Sequence, residues 1–109
     1  MTDLDALKIL KSVLAEEAQA ITSMQERLTD HQAKSLVTLF REIRDQDAQL
    51  IFCGVGKSGH IGTKLSATFS SLGLRSQFLH PTEALHGDLG RVGPRDAIVV
   101  ISKSGTTEE

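Results

Sequence analysis

Two short strings rich in glycine and hydroxyl groups hold the residues of this sequence best suited to chemistry. The first is Gly54-Val55-Gly56-Lys57-Ser58-Gly59, and the second is Ser102-Lys103-Ser104-Gly105-Thr106-Thr107-Glu108-Glu109. Each follows an apolar run, Leu50-Ile51-Phe52-Cys53 in one case and Ala97-Ile98-Val99-Val100-Ile101 in the other. Hydroxyls and backbone N–H groups at the end of a buried strand can surround a phosphate, and a helix N-terminus beyond them adds the positive end of its dipole. In a parallel sheet both loops emerge at the same carboxyl edge, where open α/β sheets bind ligands. Two half-sites for one phosphate make a more specific signal than either loop alone. The plain alternative is a pair of ordinary loops that happen to contain serine and glycine.

Neither loop fits the two commonest nucleotide motifs. Gly54 to Gly59 matches G-x-G-x-x-G between a strand and a helix, but a dinucleotide site also needs a carboxylate at the end of the second strand. The segment from Arg75 to His80 has none, and Arg75 lies at the wrong end to serve a 2′-phosphate. Gly56-Lys57-Ser58 has the last three residues of a triphosphate-binding P-loop, yet the glycine that motif requires at position 51 is Ile51. What remains is shared physics: exposed N–H groups, the Ser58 hydroxyl and the charge of Lys57.

The elements that position these loops can be read from periodicity. Leu4, Leu7, Leu10, Leu14, Ala18, Ile21, Met24 and Leu28 recur at steps of three and four, one stripe of an amphipathic helix over residues 3 to 28 with Thr2 or Asp3 as its cap. Leu7, Leu14, Ile21 and Leu28 also keep a seven-residue spacing, so the stripe suits either its own domain or a partner subunit. Thr29-Asp30 breaks the pattern, and a second helix from Gln32 to Arg44 turns Leu36, Val37, Leu39, Phe40 and Ile43 inward. A polar link, 46 to 49, leads into the first strand, whose continuous apolar run suits burial on both faces.

The segment Gly56 to Gly62 reads as loop, followed by a helix through Leu65, Ala67, Phe69 and Leu72 that Gly73 closes. Arg75 to His80 forms the second strand, Pro81-Thr82-Glu83 opens a turn and short helix, and Gly93-Pro94 precedes the third strand. Helix, helix, β, α, β, short α, β predicts an α/β domain with a parallel sheet. The boundary falls between a helical region, 1 to 46, and a sheet region, 47 to 109. Three strands leave a patch of sheet uncovered. We therefore expect the domain to continue past Glu109 or to take cover from another chain.

Composition sets the outer bounds. The 109 residues are 39% hydrophobic and 24% charged with a formal net charge of −2, which allows one ordinary globular domain and provides no basic field for nucleic acid or a membrane surface. Trp and Tyr are absent and only four Phe are present, so no aromatic platform for stacking bases or sugars is expected. A single cysteine, Cys53, excludes an internal disulfide and fits a reducing cytoplasm. The N-terminus has no signal-peptide pattern, and no apolar stretch nears the roughly 20 residues that span a bilayer.

Together these strings resemble a known family. Gly-x-Gly-x-Ser followed by Ser-x-Ser-Gly-x-Thr-x-Glu is similar to the sugar isomerase (SIS) domain, a phosphosugar-binding fold. Gly54 to Gly62 and His80-Pro81-Thr82-Glu83-Ala84-Leu85-His86-Gly87-Asp88-Leu89-Gly90 resemble its arabinose-5-phosphate isomerase branch. The likeness is close over about residues 48 to 109 and extends to the N-terminal helices in pattern only.

The resemblance implies an α/β sandwich with a parallel, flavodoxin-like sheet of the SIS type, here stopping after the third strand and preceded by two helices. It implies that Gly56, Ser58, Ser102, Ser104 and Thr107 hold the substrate phosphate. Lys57, His86 and Glu109 fall where the family has functional groups beside the sugar. Lys103 and Thr106 depart from it, since the family often has Asn and Glu there, and Lys103 adds a second charge near the phosphate loop. A further glutamate and histidine, and commonly a pair of CBS domains, lie later in such proteins. The 109 residues alone are therefore expected to bind phosphosugar weakly and not to turn it over.

The implied reaction interconverts D-arabinose 5-phosphate and D-ribulose 5-phosphate through an enediol, in a cytoplasmic homotetramer that supplies Kdo for lipopolysaccharide. A carboxylate or imidazole such as Glu109 can move the proton, and a cation such as Lys57 can stabilise the developing oxyanion. His86 is alternatively a donor to a sugar hydroxyl or a histidine satisfied by backbone. No cofactor and no required metal are expected, adventitious Zn²⁺ at His86 being the weak exception. Cys53 reads as a small core residue, His60 as a helix-start or rim residue and His31 as surface. Two rivals stand beside the enzyme: a non-catalytic phosphosugar-binding module, disfavoured by the lack of a basic helix-turn-helix in residues 1 to 46, and an isomerase of a different phosphosugar.

Overall fold

The computed structural model of the chain describes residues 2–105. Its centre is strand β1 (Leu50–Cys53), flanked by β2 (Ser76–Leu79) on one side and β3 (Ala97–Val100) on the other, all parallel, in the order β2-β1-β3. Leu50, Ile51 and Phe52 are buried, as an unalternating apolar run in a central strand requires. The remaining elements are α1 (Asp3–Arg27), α2 (Asp30–Asp45), α3 (Lys57–Ser71), α4 (Pro81–Leu85) and a 3-10 turn at Asp88–Arg91. The α/β parallel architecture expected from the sequence is therefore present. The 3-10 turn is an addition that the sequence pattern does not signal.

On one face of the sheet, Leu50 and Phe52 pack with Ile43 and Ala48, and Leu39, Phe40, Leu65, Phe69, Phe78 and Val99 close around them. The Phe69 ring lies 5.3 Å from Phe40 and 5.6 Å from Phe52, tilted to both, which locks α3 over β1. Leu36 and Val37, expected inward on α2, are exposed instead. The helix turns only its last two turns onto the sheet, through Leu39, Phe40 and Ile43. On β3 the alternation leaves Val100 70% exposed on the opposite face.

Helix α3 begins at Lys57, earlier than a loop over Gly56 to Gly62 allows. Glycines weaken a helix, so a run holding Gly59 and Gly62 reads as loop from propensity alone. Both serve packing instead. A Cβ on Gly59 would stand 2.7 Å from the Gly54 carbonyl oxygen, and one on Gly62 would stand 3.2 Å from the Phe78 ring. The helix ends as expected at Gly73 (φ +92°), where Leu74 N–H donates to Phe69 O (3.0 Å) and Gly73 N–H to Ser70 O (3.1 Å) in a Schellman closure.

The chain divides into two compact units, residues up to Leu36 and residues from Val37 onward. In the first, Thr2 caps α1 reciprocally with Asp5: Asp5 N–H donates to Thr2 Oγ1 (3.1 Å) and Thr2 N–H to Asp5 Oδ2 (3.2 Å). The Thr2 hydroxyl, donating to Asp5 Oδ2 (2.8 Å), and then the Thr2 N–H hold the Asp5 carboxyl below its usual range. No residue of α1 is buried in the chain, and Leu7, Leu14, Ile21 and Met24 all lie exposed along it.

Candidate phosphate-binding site at the carboxyl edge of the sheet

The carboxyl ends of the three strands are level, because Cys53 pairs with Leu79 on one side and with Val100 on the other. Ile101 N–H donates to Cys53 O (2.8 Å) and carries the β1–β3 pairing one residue further. The loops after β1 and β3 therefore leave the sheet side by side. Gly54 lets them touch. A Cβ there would lie 3.0 Å from the Ser58 carbonyl carbon, 3.1 Å from Gly59 N and 3.1 Å from Ile101 O, so a side chain would push the two loops apart.

Gly56 then turns the chain into α3 with φ +60°, a conformation that favours glycine. Having no side chain, it makes no cap hydrogen bond to the first turn of α3, where Gly59 N–H donates instead to Val55 O (3.3 Å). Ser58 is half-buried in that turn and Lys57 is exposed. In the second loop, Gly105 N–H donates to Ser102 Oγ (2.9 Å) while Gly105 takes φ +75°, which folds the loop back on the half-buried Ser102.

Between the loops lies a cavity of about 320 Å³, lined by Cys53, Gly54, Val55, Ser58, Pro81, Val100, Ile101, Ser102 and Lys103. That is the size of a small-ligand pocket. It unites a hydroxyl-bearing residue from each loop with one cationic residue, the exposed Lys103, beside apolar residues. Ser58 and Ser102 thus come together from the two loops. Gly56, Lys57, His86 and Ser104 do not line this cavity, and Thr107 and Glu109 lie outside the described residues. Lys103 and the buried Pro81, not assigned a site role from sequence, do line it. Pro81 has a legible signal, its place directly after a strand.

The segment carrying His86 is fixed at both ends. His80 caps α4 by accepting Thr82 N–H on Nδ1 (3.1 Å), and Pro81 fills the first helical position. His86 ends α4, its N–H donating to Thr82 O (3.2 Å) and Glu83 O (3.1 Å), and Gly87 turns the chain with φ +121°. The His86 side chain is exposed. Arg91 then bonds Gln77 of β2 and pairs with Asp88 (3.6 Å). Among the described residues no three His, Cys, Asp or Glu side chains cluster. Burial pushes the Cys53 thiol up.

Residues 42–109 match the SIS domain, a segment holding the sheet, α3, α4 and both loops. The chain belongs to the SIS domain family. Two curated SIS relatives are arabinose 5-phosphate isomerases. KpsF of Escherichia coli is 40% identical over 100 residues, 92% of this chain and 30% of the relative. KdsD of Salmonella typhi is 39% identical over 99 residues, 91% of this chain and 29% of the relative. The chain thus spans about three-tenths of the length of these relatives.

Among solved structures, an E. coli CFT073 protein in complex with arabinose 5-phosphate superposes with a TM-score of 0.85 at 36% identity, covering 98% of this chain and 55% of that one. The SIS-type parallel sheet inferred from the two loops is the fold of that neighbour. No helix among the described residues is long and apolar enough to cross a membrane.

Proposed function

We propose that the protein is an aldose–ketose isomerase that interconverts D-arabinose 5-phosphate and D-ribulose 5-phosphate. One observation carries this reading: the two hydroxyl-bearing loops close on a single cavity at the carboxyl edge of the sheet, with Ser58 and Ser102 in its wall. Relatives are named arabinose 5-phosphate isomerases, and one neighbour was solved with arabinose 5-phosphate.

In the proposed mechanism Ser58, Ser102, Ser104 and Thr107 hold the phosphate, together with the backbone at Gly56. The open-chain aldose then presents its C2–H to a base. Removal of that proton and protonation of O1 give the 1,2-enediol; return of a proton to C1, with loss of the O2 proton, gives the ketose. Glu109 is assigned the acid/base work. Lys57 stabilises negative charge developing on oxygen, and His86 donates to a sugar hydroxyl. The chemistry needs no redox partner, since substrate and product are isomers.

The reading extends to cellular context. We place the protein in the cytoplasm, feeding Kdo and lipopolysaccharide synthesis, as a homotetramer associated through α1. The exposed heptad residues Leu7, Leu14, Ile21 and Leu28 support that association. Proton NMR of the full-length protein with arabinose 5-phosphate in heavy water tests the reaction. Ribulose 5-phosphate carrying solvent deuterium at C1 is expected, and no conversion would remove the proposal. A competition series of phosphosugars fixes the substrate.

A further inference from the structure

We propose that Lys103 is the cation of this cavity and sets its preference for the doubly charged form of the substrate phosphate. The inference rests on the phosphosugar reading and deepens it by naming the residue that selects the ionisation state.

Among the described residues, Lys103 is the one charged side chain in the cavity wall, and no carboxylate lines it. Lys103 forms no ion pair with any described carboxylate, whereas Arg44, Arg75 and Arg91 all do. Among the described residues no carboxylate compensates its charge beside Ser58 and Ser102. Lys57, the cation of the other loop, is exposed like Lys103 but does not line the cavity.

The two kinds of group do different work. Hydroxyls give directional bonds to phosphate oxygens but carry no charge, so they discriminate weakly between the monoanion and the dianion. The ammonium of Lys103, an exposed residue, favours the second negative charge by charge-assisted bonding in a partly solvated setting. A phosphate monoester gains that charge near a pKa of about 6. Lys103 thus makes KM fall as pH rises through that value.

The test uses the full-length protein with two probes, inorganic phosphate for binding and arabinose 5-phosphate for turnover. Lys103→Asn and Lys103→Gln are each expected to raise the phosphate Kd and the sugar KM about tenfold with kcat retained, the scale of one lost charge-assisted contact. Both should flatten the fall of KM with pH. Lys103→Arg should keep both constants near wild type, and Lys64→Asn, the same charge change on the exposed surface of α3, should alter neither.

An unchanged Kd and pH profile in the neutral variants overturns the assignment, as does a loss of kcat with KM intact. Wild-type protein that binds phosphate through Lys103 without isomerising the sugar would remove the isomerase reading and leave Lys103 in place. Wild-type protein that turns the sugar over, with phosphate binding indifferent to Lys103, would remove Lys103 alone. Wild-type protein that neither binds phosphate nor turns over the sugar removes both.

Discussion

The Ile101 carbonyl oxygen lies 3.1 Å from where a Cβ on Gly54 would stand. This close approach sets the loop after β1 against the end of β3, and both Gly54 and Ile101 line the cavity between the two loops. Gly54→Ala places a methyl group against backbone on both sides, where no side chain can swing away. The expected cost is about 1–3 kcal/mol, the range for forcing volume into a packed site. Urea unfolding should show a lower midpoint with an unchanged slope. An unshifted midpoint would show that the loops are not held this tightly.

Gly59 makes a sharper case. In the interior of an exposed helix, Gly→Ala adds about 1 kcal/mol of stability. At Gly59 the added Cβ meets the Gly54 carbonyl oxygen at 2.7 Å, closer than real Cβ atoms approach. The clash should reverse the sign, so Gly59→Ala destabilises the fold and raises KM for arabinose 5-phosphate. A stability gain in thermal unfolding contradicts this packing.

These two glycines show where the sequence is legible and where it is not. Strand β1 is plain because Leu50 to Cys53 is apolar without alternation, and that pattern has few other uses. The two loops are plain because hydroxyl and glycine types recur after both strands. The start of α3 is hidden because the reason for Gly59 is Gly54 O, and the reason for Gly62 is the Phe78 ring. A partner remote in space leaves no local mark on propensity. Lys103 reads in sequence as a departure from a pattern, and its place in the cavity wall emerges only from the fold of both loops. On α2, the period marks Leu36 and Val37 as apolar but cannot say where the sheet stops covering the helix.

Helix α1 leads to a prediction about assembly. Its stripe is exposed along its length, with Leu14 65% and Ile21 64% accessible. If a second copy covers these residues, Leu14→Asp with Ile21→Asp should lower the mass measured by analytical ultracentrifugation of the full-length protein. An unchanged mass would show that α1 is not the contact between subunits.

Cys53 supplies a pH dependence. Burial raises its thiol pKa, so the neutral thiol persists to higher pH than in a free cysteine. The thiolate is the nucleophile. Iodoacetamide should therefore modify Cys53 more slowly than a small free thiol near neutrality, with the rate climbing only as pH rises beyond the ordinary thiol range. Because Cys53 lines the cavity, arabinose 5-phosphate should slow the reaction further. Rates equal to the free thiol, or insensitive to the sugar phosphate, would count against a half-buried thiol beside a ligand.

The central claim is that Ser58 and Ser102, from separate loops, hold one phosphate. It is tested most directly by the dissociation constant of arabinose 5-phosphate for the full-length protein and its Ser58→Ala, Ser102→Ala and doubly substituted forms. On the proposed reading each hydroxyl contributes a charge-assisted bond, so each single variant should bind roughly tenfold more weakly. The double variant should depart from additivity, because the two serines share one ligand group. Unchanged affinity in all three variants would contradict the account.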